Sequence, residues 1–326
     1  MKQYIKHFLL GSIFSLIALS GMAVEFNISD GVANEAVKNK MTTTLSNIFT
    51  EINLAYNENR EPVYGKMNIG PKGTSAEETI SFLWSNTPFY CIDDVVVEKG
   101  LQTASGKYQV RNIPLLLKNV EEGSDDYQEG VATFDRNGNL EEFNLAIAQN
   151  IYGDIITQKK DVTDLRHREM ILDWTERFRT AYNTKDSVFI KNVFSDDALI
   201  ITGKVTTKAA KSGDALKIKG DVQYFVQNKK EYIARLKKVF DNNKFINVTF
   251  NDIKVFSHPN AGNEKYKDYY GVTLQQDYKS SGYSDEGYLF LMWDFRNEEK
   301  PQIHVRVWQP NDFDEGGDGP FEFVDL

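Results

Sequence analysis

The side chains best suited by type to chemistry stand near the end of the chain, in "PQIHVRVWQ". His304 carries an imidazole, a side-chain type suited to taking or giving a proton, while Arg306, two residues on, can hold an anionic group. Alternation places Gln302, His304, Arg306 and Trp308 on one face of a strand and Ile303, Val305 and Val307 on the other. The polar set reads as the solvent face of a sheet, with the aliphatic set inside.

Other constellations are weaker. In "TFDRNGNLEEFNLAI", Asp135, Asn137 and Asn139 stand at every second position, as calcium-loop ligands do. A calcium loop would need Gly where Leu140 stands and an acid where Ala146 stands, so Asn137-Gly138 reads instead as a hairpin turn. The tail "DFDEGGDGP" gathers Asp312, Asp314, Glu315 and Asp318 at no calcium spacing and reads as an acidic solvated end. His167 lies in a charged run and His258 precedes Pro259, so no zinc pattern arises. No hydrolase elbow, phosphate loop or dinucleotide fingerprint appears, and neither cofactor nor metal is expected. Cys91, the only cysteine, lies in the strand-like "PFYCIDDVVVE" and reads as a small buried hydrophobe rather than a nucleophile.

The N-terminus supplies an address. Lys2 and Lys6 precede an apolar run from Phe8 to Leu19 and small residues ending at Ala23, the pattern of a cleavable secretory signal over residues 1–23. The run is shorter than the roughly 20 residues that span a bilayer. A periplasmic or secreted protein without stable membrane insertion is expected. Removing two lysines moves the formal charge from −9 to −11, since 36 basic residues then face 47 acidic ones. Such a surface excludes nucleic acid as a partner.

The positioning elements repeat. "EINLAYNENR" and "ERFRTAYNTKD" share Ala-Tyr-Asn at 55–57 and 181–183, each closing a stripe of apolar residues at helical spacing. Ile48, Phe49, Ile52 and Tyr56 form the first stripe, and Ile171, Trp174, Phe178, Ala181 and Tyr182 the second. Asp164 is placed to cap the second helix. Further on, "YQEGVATFDRNGNLEEFNLAI" matches "YSDEGYLFLMWDFRNEEKPQIHVRVW" as Glu-Gly, strand, turn, strand. The spacing therefore predicts an α+β chain of two tandem units, 33–154 and 164–312, each an N-terminal helix with an antiparallel meander, followed by an acidic tail, 313–326. Between the repeated parts, "QNKKEYIARLKKVF" carries another helical stripe, and "AEETISFLWS" is its shorter counterpart in the first unit.

The second unit resembles the nuclear transport factor 2-like (cystatin-like) superfamily, through "FRTAYNTKD", "FSDDALIITG" and the long terminal strands. The first unit shares the resemblance only through the repeat, as a degenerate copy. The resemblance implies a curved antiparallel sheet wrapped around helices into a cone, and a similarity to exported two-unit proteins of Bacteroidota names no reaction. Enzymes of this kind place Asp or His among tyrosines inside the cone, which makes Asp294, His304, Tyr182 and Asp173 candidates. Trp174, Tyr182, Trp293, His304, Arg306 and Trp308 are the candidate lining of a binding site. With no convergent acid, base and nucleophile, the expected function is a noncatalytic binding or scaffold protein of the envelope. Its ligand would be a small apolar or anionic molecule, or an envelope protein. An isomerase, cyclase or dehydratase working in the second cone is the alternative. The two units are expected to pack sheet against sheet as an intramolecular pseudo-dimer, leaving a monomer.

Overall fold

The computed structural model describes residues 23–70, 75–118, 127–157, 162, 164–206 and 221–313, where two curled sheets each receive a long helix. The leader read in residues 1–23 therefore lies outside the described residues except for Ala23, and so does the acidic tail from residue 314. The first half contains β1 (Glu25–Ile28), α1 (Glu35–Glu58), α2 (Ser75–Asn86), β2 (Phe89–Cys91), β3 (Val95–Glu98), β4 (Gly100–Gln102), β5 (Tyr108–Leu117), β6 (Tyr127–Phe134) and β7 (Leu140–Leu145). Then come α3 (Gln149–Thr157), α4 (Leu165–Asn183), α5 (Ser187–Val193), β8 (Phe194–Thr206) and β9 (Asp221–Gln227). The chain ends with α6 (Lys229–Asn242), β10 (Ile246–Ser257), β11 (Tyr269–Ser280), β12 (Tyr283–Asp294) and β13 (Gln302–Gln309). Among the described residues no helix is long and apolar enough to cross a membrane.

The meander β2-β5-β6-β7 of the first half corresponds to β10-β11-β12-β13 of the second. Both are antiparallel throughout. Two pairings depart from the expected antiparallel order: β1 runs parallel to β3, and β13 runs parallel to β8. Each joins strands separated by long stretches of chain, which is what a parallel pairing requires. The hydrophobic interiors are separate. One core gathers residues from Val24 to Leu145, and another residues from Ile147 to Trp308. Short β1 thus belongs to the first interior and α3 to the second, and neither element was expected from the sequence.

Local signals act where the sequence placed them. The Asp164 carboxylate accepts the Arg166 amide (2.9 Å) at the start of α4; the reciprocal cap of Asn228 with Glu231 on α6 was not read from the sequence. Asp135 accepts hydrogen bonds from the amides of Asn137 and Asn139 (both 2.8 Å) and from the Asn139 side chain (2.7 Å), so its oxygens serve the turn. Gly138, at φ 74°, closes the β6–β7 hairpin. Cys91 is buried, and burial pushes its thiol up to about 11, away from the reactive thiolate.

The repeated Ala-Tyr-Asn has a partly different meaning from the one its spelling suggests. Asn183 clasps an edge strand by both backbone groups: its amide donates to Val248 O (3.1 Å) and its oxygen accepts Val248 N (2.6 Å). The same clasp in the first half is made by Asn53 on Cys91 (2.9 Å for each bond), one turn before Asn57. The two helices are therefore equivalent with a four-residue offset from the sequence match. Glu-Gly repeats more faithfully. A Cβ at Gly130 would stand 2.8 Å from the Phe143 ring, and one at Gly287 would stand 2.6 Å from Trp308, so in each half glycine admits an aromatic from the next strand.

The halves do not join as two apolar sheet faces. Helix α4 is buried on both sides, its apolar stripe in the second core and its polar side against the exit of β7. Glu176 accepts hydrogen bonds from Arg111 of β5 (Nη1, 3.2 Å, and a shorter contact from Nη2) and from the Ile147 amide (2.7 Å). The Thr180 hydroxyl accepts the Leu145 amide (2.9 Å), and Arg179 donates to Ala146 O, to Gln128 and to Val248 O (2.8 Å). Burial lowers the Arg179 pKa to about 10, since its bonded acceptors are neutral. A helix face that reads as solvated is thus the polar joint between the two interiors.

Removing Glu176 strands the Arg111 charge in that joint. Glu176→Ala should lower the unfolding free energy by about 3–5 kcal/mol, the cost of breaking a buried pair from one side. Urea denaturation followed by circular dichroism checks this, and a loss below about 1 kcal/mol would show the pair to be solvated.

Candidate functional site

Near the start of β13, Ile303 faces the second core opposite Trp293. The pairing then slips: Ile303 faces Trp293, but Val305 faces Met292, so His304 is an extra residue without its own partner on β12. Beyond this bulge the faces exchange. Val305 and Val307 turn to the outer face of the sheet, packing with Phe290 and Met292, while Arg306 and Trp308 turn into the cone. The expected face of Gln302, His304, Arg306 and Trp308 is therefore broken after His304, and Val305 and Val307 are not interior residues.

The inward pair lines a cavity of about 550 Å³ between α6, β8–β9 and the β11–β12 turn. Arg306 is 6% exposed. Its Nη1 reaches Ile201 O only at 3.5 Å, and its Nε has no hydrogen-bond partner among the described residues. Burial works against its charge, but the oxygens of Tyr232 and Tyr182 outweigh it, and the guanidinium stays protonated. The Tyr182 and Tyr232 hydroxyls share a short hydrogen bond, and burial pushes the Tyr182 hydroxyl well above its usual range. Tyr182 therefore remains a phenol at neutral pH.

Trp308 forms a flat floor because two neighbours lack side chains. A Cβ at Gly203 would stand 2.3 Å from its ring atoms, and one at Gly287 2.6 Å. The indole Nε1 is buried and without a partner. Asp285 completes the set. Burial raises its carboxyl pKa, the Tyr283 hydroxyl donates to one oxygen (2.8 Å), and the other oxygen, Oδ1, is unpartnered. Three buried polar atoms on three lining residues thus lack a partner among the described residues, an unusual concentration for a folded interior.

The other sequence candidates lie elsewhere. His304 is on the outer face, with Nε2 3.2 Å from Asp294 Oδ2 and Nδ1 3.4 Å from Asp197 Oδ1. Although burial opposes it, hydrogen bonds from Arg296 hold the Asp294 carboxyl below its usual range. This pair does not line the Tyr182 cavity. Trp293 is fully buried in the second core, and Trp174 packs against it (6.3 Å between ring centres) and against Phe189 (6.0 Å). Asp173 pairs with Arg177 (2.7 Å). Of the residues singled out in the sequence, Tyr182, Arg306 and Trp308 come together. Tyr232, Asp285, Gly203 and Gly287 were missed, although Gly287 carried a signal as part of the repeated Glu-Gly. Among the described residues no group of three or more His, Cys, Asp or Glu side chains could hold a metal ion.

Residues 221–305 match the family described as the Cds6 C-terminal NTF2-like domain, so this segment is of the nuclear transport factor 2-like type. No curated protein matches the chain. Among solved structures, Bd1075 of Bdellovibrio bacteriovorus is 14% identical over 53% of this chain and 46% of its own, with a TM-score of 0.33. The helical cell shape determining protein Pgp2 of Campylobacter jejuni is 12% identical over 44% of this chain and 39% of its own, with a TM-score of 0.30. An NTF-2 like protein of unknown function from Shewanella oneidensis is 14% identical over 43% of this chain and 96% of its own, with a TM-score of 0.29. The chain spans less than half the length of the first two.

The floor of the cavity makes a steric prediction. A methyl group at Gly287 must displace Trp308 or the Gln309 carbonyl, 2.8 Å away. Gly287→Ala should cost about 1–3 kcal/mol by overpacking and shift tryptophan emission. A variant with unchanged stability and emission would place the indole somewhere else.

Proposed function

We propose that this is an exported, noncatalytic binding protein of the cell envelope, in which the second half, a nuclear transport factor 2-like cone, holds a small molecule. The observation that carries this reading is the cavity itself: about 550 Å³ beneath α6, with unpartnered polar atoms on Arg306, Trp308 and Asp285. Its size lies within the roughly 300–1,000 Å³ of small-molecule sites. The imidazole and carboxylate best suited to proton transfer, His304 and Asp294, pair on the outer face of the same sheet, away from that cavity.

The first half supports a structural role. Phe143 is 1% exposed and meets Phe49 edge-on at 5.9 Å, filling the place where the second half has its indole floor. Export is supported by the leader pattern of residues 1–23, and we place the mature protein in the periplasm or outside the cell. The buried polar joint at α4 already unites the two halves of one chain, which favours a monomer.

A second reading rests on Asp285. Its carboxyl has a raised pKa and a free oxygen in the cavity that also holds the Tyr182–Tyr232 pair. A carboxyl so tuned can move a proton next to a carbonyl while a phenol stabilises the resulting oxyanion. This is the isomerase or dehydratase alternative, with Asp285 as the proton carrier in place of His304 and Asp294.

Native mass spectrometry of the protein purified from its own envelope tests the proposal. A one-to-one small-molecule adduct is expected, which raises the melting temperature when returned to stripped protein and is recovered chemically unchanged after prolonged incubation. No adduct and no thermal stabilisation by the envelope extract would remove the binding function. Conversion of the ligand, abolished by Asp285→Asn, would replace it with the enzyme.

A further inference from the structure

The cavity also specifies the kind of molecule it takes, given the binding function proposed above. The protein as a whole is acidic, with a formal charge of −9. The cavity reverses that sign: Lys204, Arg235 and Arg306 line it against the single carboxylate of Asp285 among the described residues. Arg235 lies over the Phe225 ring at 4.2 Å, and Lys204 is exposed at the rim, so the buried charge at the base is Arg306.

Arg306 lacks what a buried guanidinium normally has. No ion pair to it exists among the described residues at salt-bridge distance; Nη1 reaches the Ile201 carbonyl only at 3.5 Å, and Nε is unpartnered. Its other near neighbours are the Tyr232 ring, 5.6 Å from the guanidinium carbon, and the Tyr182 hydroxyl. An incoming carboxylate would accept from the guanidinium in the charge-assisted geometry that arginine favours. Trp308 lies beside it as an indole spread over two glycines, a flat apolar surface that matches a planar ring.

We infer that the ligand of the second cone is a planar ring compound bearing one carboxylate, with the carboxylate on Arg306 and the ring against Trp308. A dianion such as a phosphate ester fits less well, because among the described lining residues Arg306 is the single buried cation and Asp285 shares the cavity.

The test uses stripped full-length protein and isothermal titration with four probes of one shape and different charge: cinnamate, cinnamamide, cinnamylamine and cinnamyl phosphate. Cinnamate is expected to bind at least about tenfold more tightly than cinnamamide, the factor a charge-assisted hydrogen bond contributes, with the amine weakest. Arg306→Lys should retain a preference for cinnamate, and Arg306→Met should bind cinnamate and cinnamamide alike. The wild-type comparison stands even if Arg306→Met fails to fold. Equal affinity for acid and amide, or tighter binding of the amine or the phosphate, overturns the carboxylate assignment and leaves the binding function intact. So does failure of all four probes when native mass spectrometry shows an adduct. Failure of all four with no adduct removes both proposals together.

Discussion

Between Ile303 and Val305 the β13 backbone holds a residue for which β12 has no partner, and each side chain beyond it faces opposite to its simple alternation from Ile303. The slip sends Arg306 and Trp308 into the cone and hands the outer face to Val305 and Val307. The parallel neighbour accommodates the same irregularity: β8 advances from Phe194 to Leu199 while β13 advances from Ile303 to Val305. The excess residues of β8 include Asp197, whose carboxylate reaches His304 on the outside. One backbone defect thus separates an imidazole–carboxylate pair on the outer surface from an arginine–tyrosine cluster within. Without it, His304, Arg306 and Trp308 would share the outer face, and the cavity would lose both its charge and its floor.

Helix α4 connects this interior to the rest of the chain. Its apolar stripe supplies Phe178 and Tyr182 to the second core, where Phe178 meets Trp293 edge-on at 6.4 Å. Its polar side binds the backbone leaving β7 and the Arg111 side chain. Buried ion pairs contribute specificity of register more dependably than net stability. The arrangement here fits that view, because Glu176, Arg179 and Thr180 read successive backbone groups at residues 145–147 and so fix where one half ends against the other. The placement of Tyr182 in the cavity follows from this clamp.

Much of the architecture was legible from the sequence because it rests on local chemistry. Asp164 caps a helix that its apolar stripe announces, Asn137-Gly138 turns a hairpin, and the Glu-Gly repeat marks equivalent strands. What was not legible depends on distant partners. The four residues of β1 acquire their strand identity by pairing with β3. The polar side of α4 looks solvated in isolation and is buried by β5 and β7. The β13 bulge has no residue signature, since Ile303, Val305 and Val307 alternate perfectly through it; only the register against β12 reveals the exchange of faces. For the same reason His304 and Arg306, adjacent in a periodic reading, serve different sides of the sheet. Tyr232 was visible only as one member of a helical stripe, and Asp285 only as part of an acidic segment before the repeated glycine.

The inward turn of β13 is most directly tested by nuclear Overhauser contacts to the Trp308 indole in isotopically labelled protein. The account predicts cross-peaks from its ring protons to the α-protons of Gly203 and Gly287, which lie beneath the ring. Cross-peaks instead from Trp308 to Phe290 and Met292, on the same outer face as His304, would show an unbroken strand and contradict the inward turn of β13.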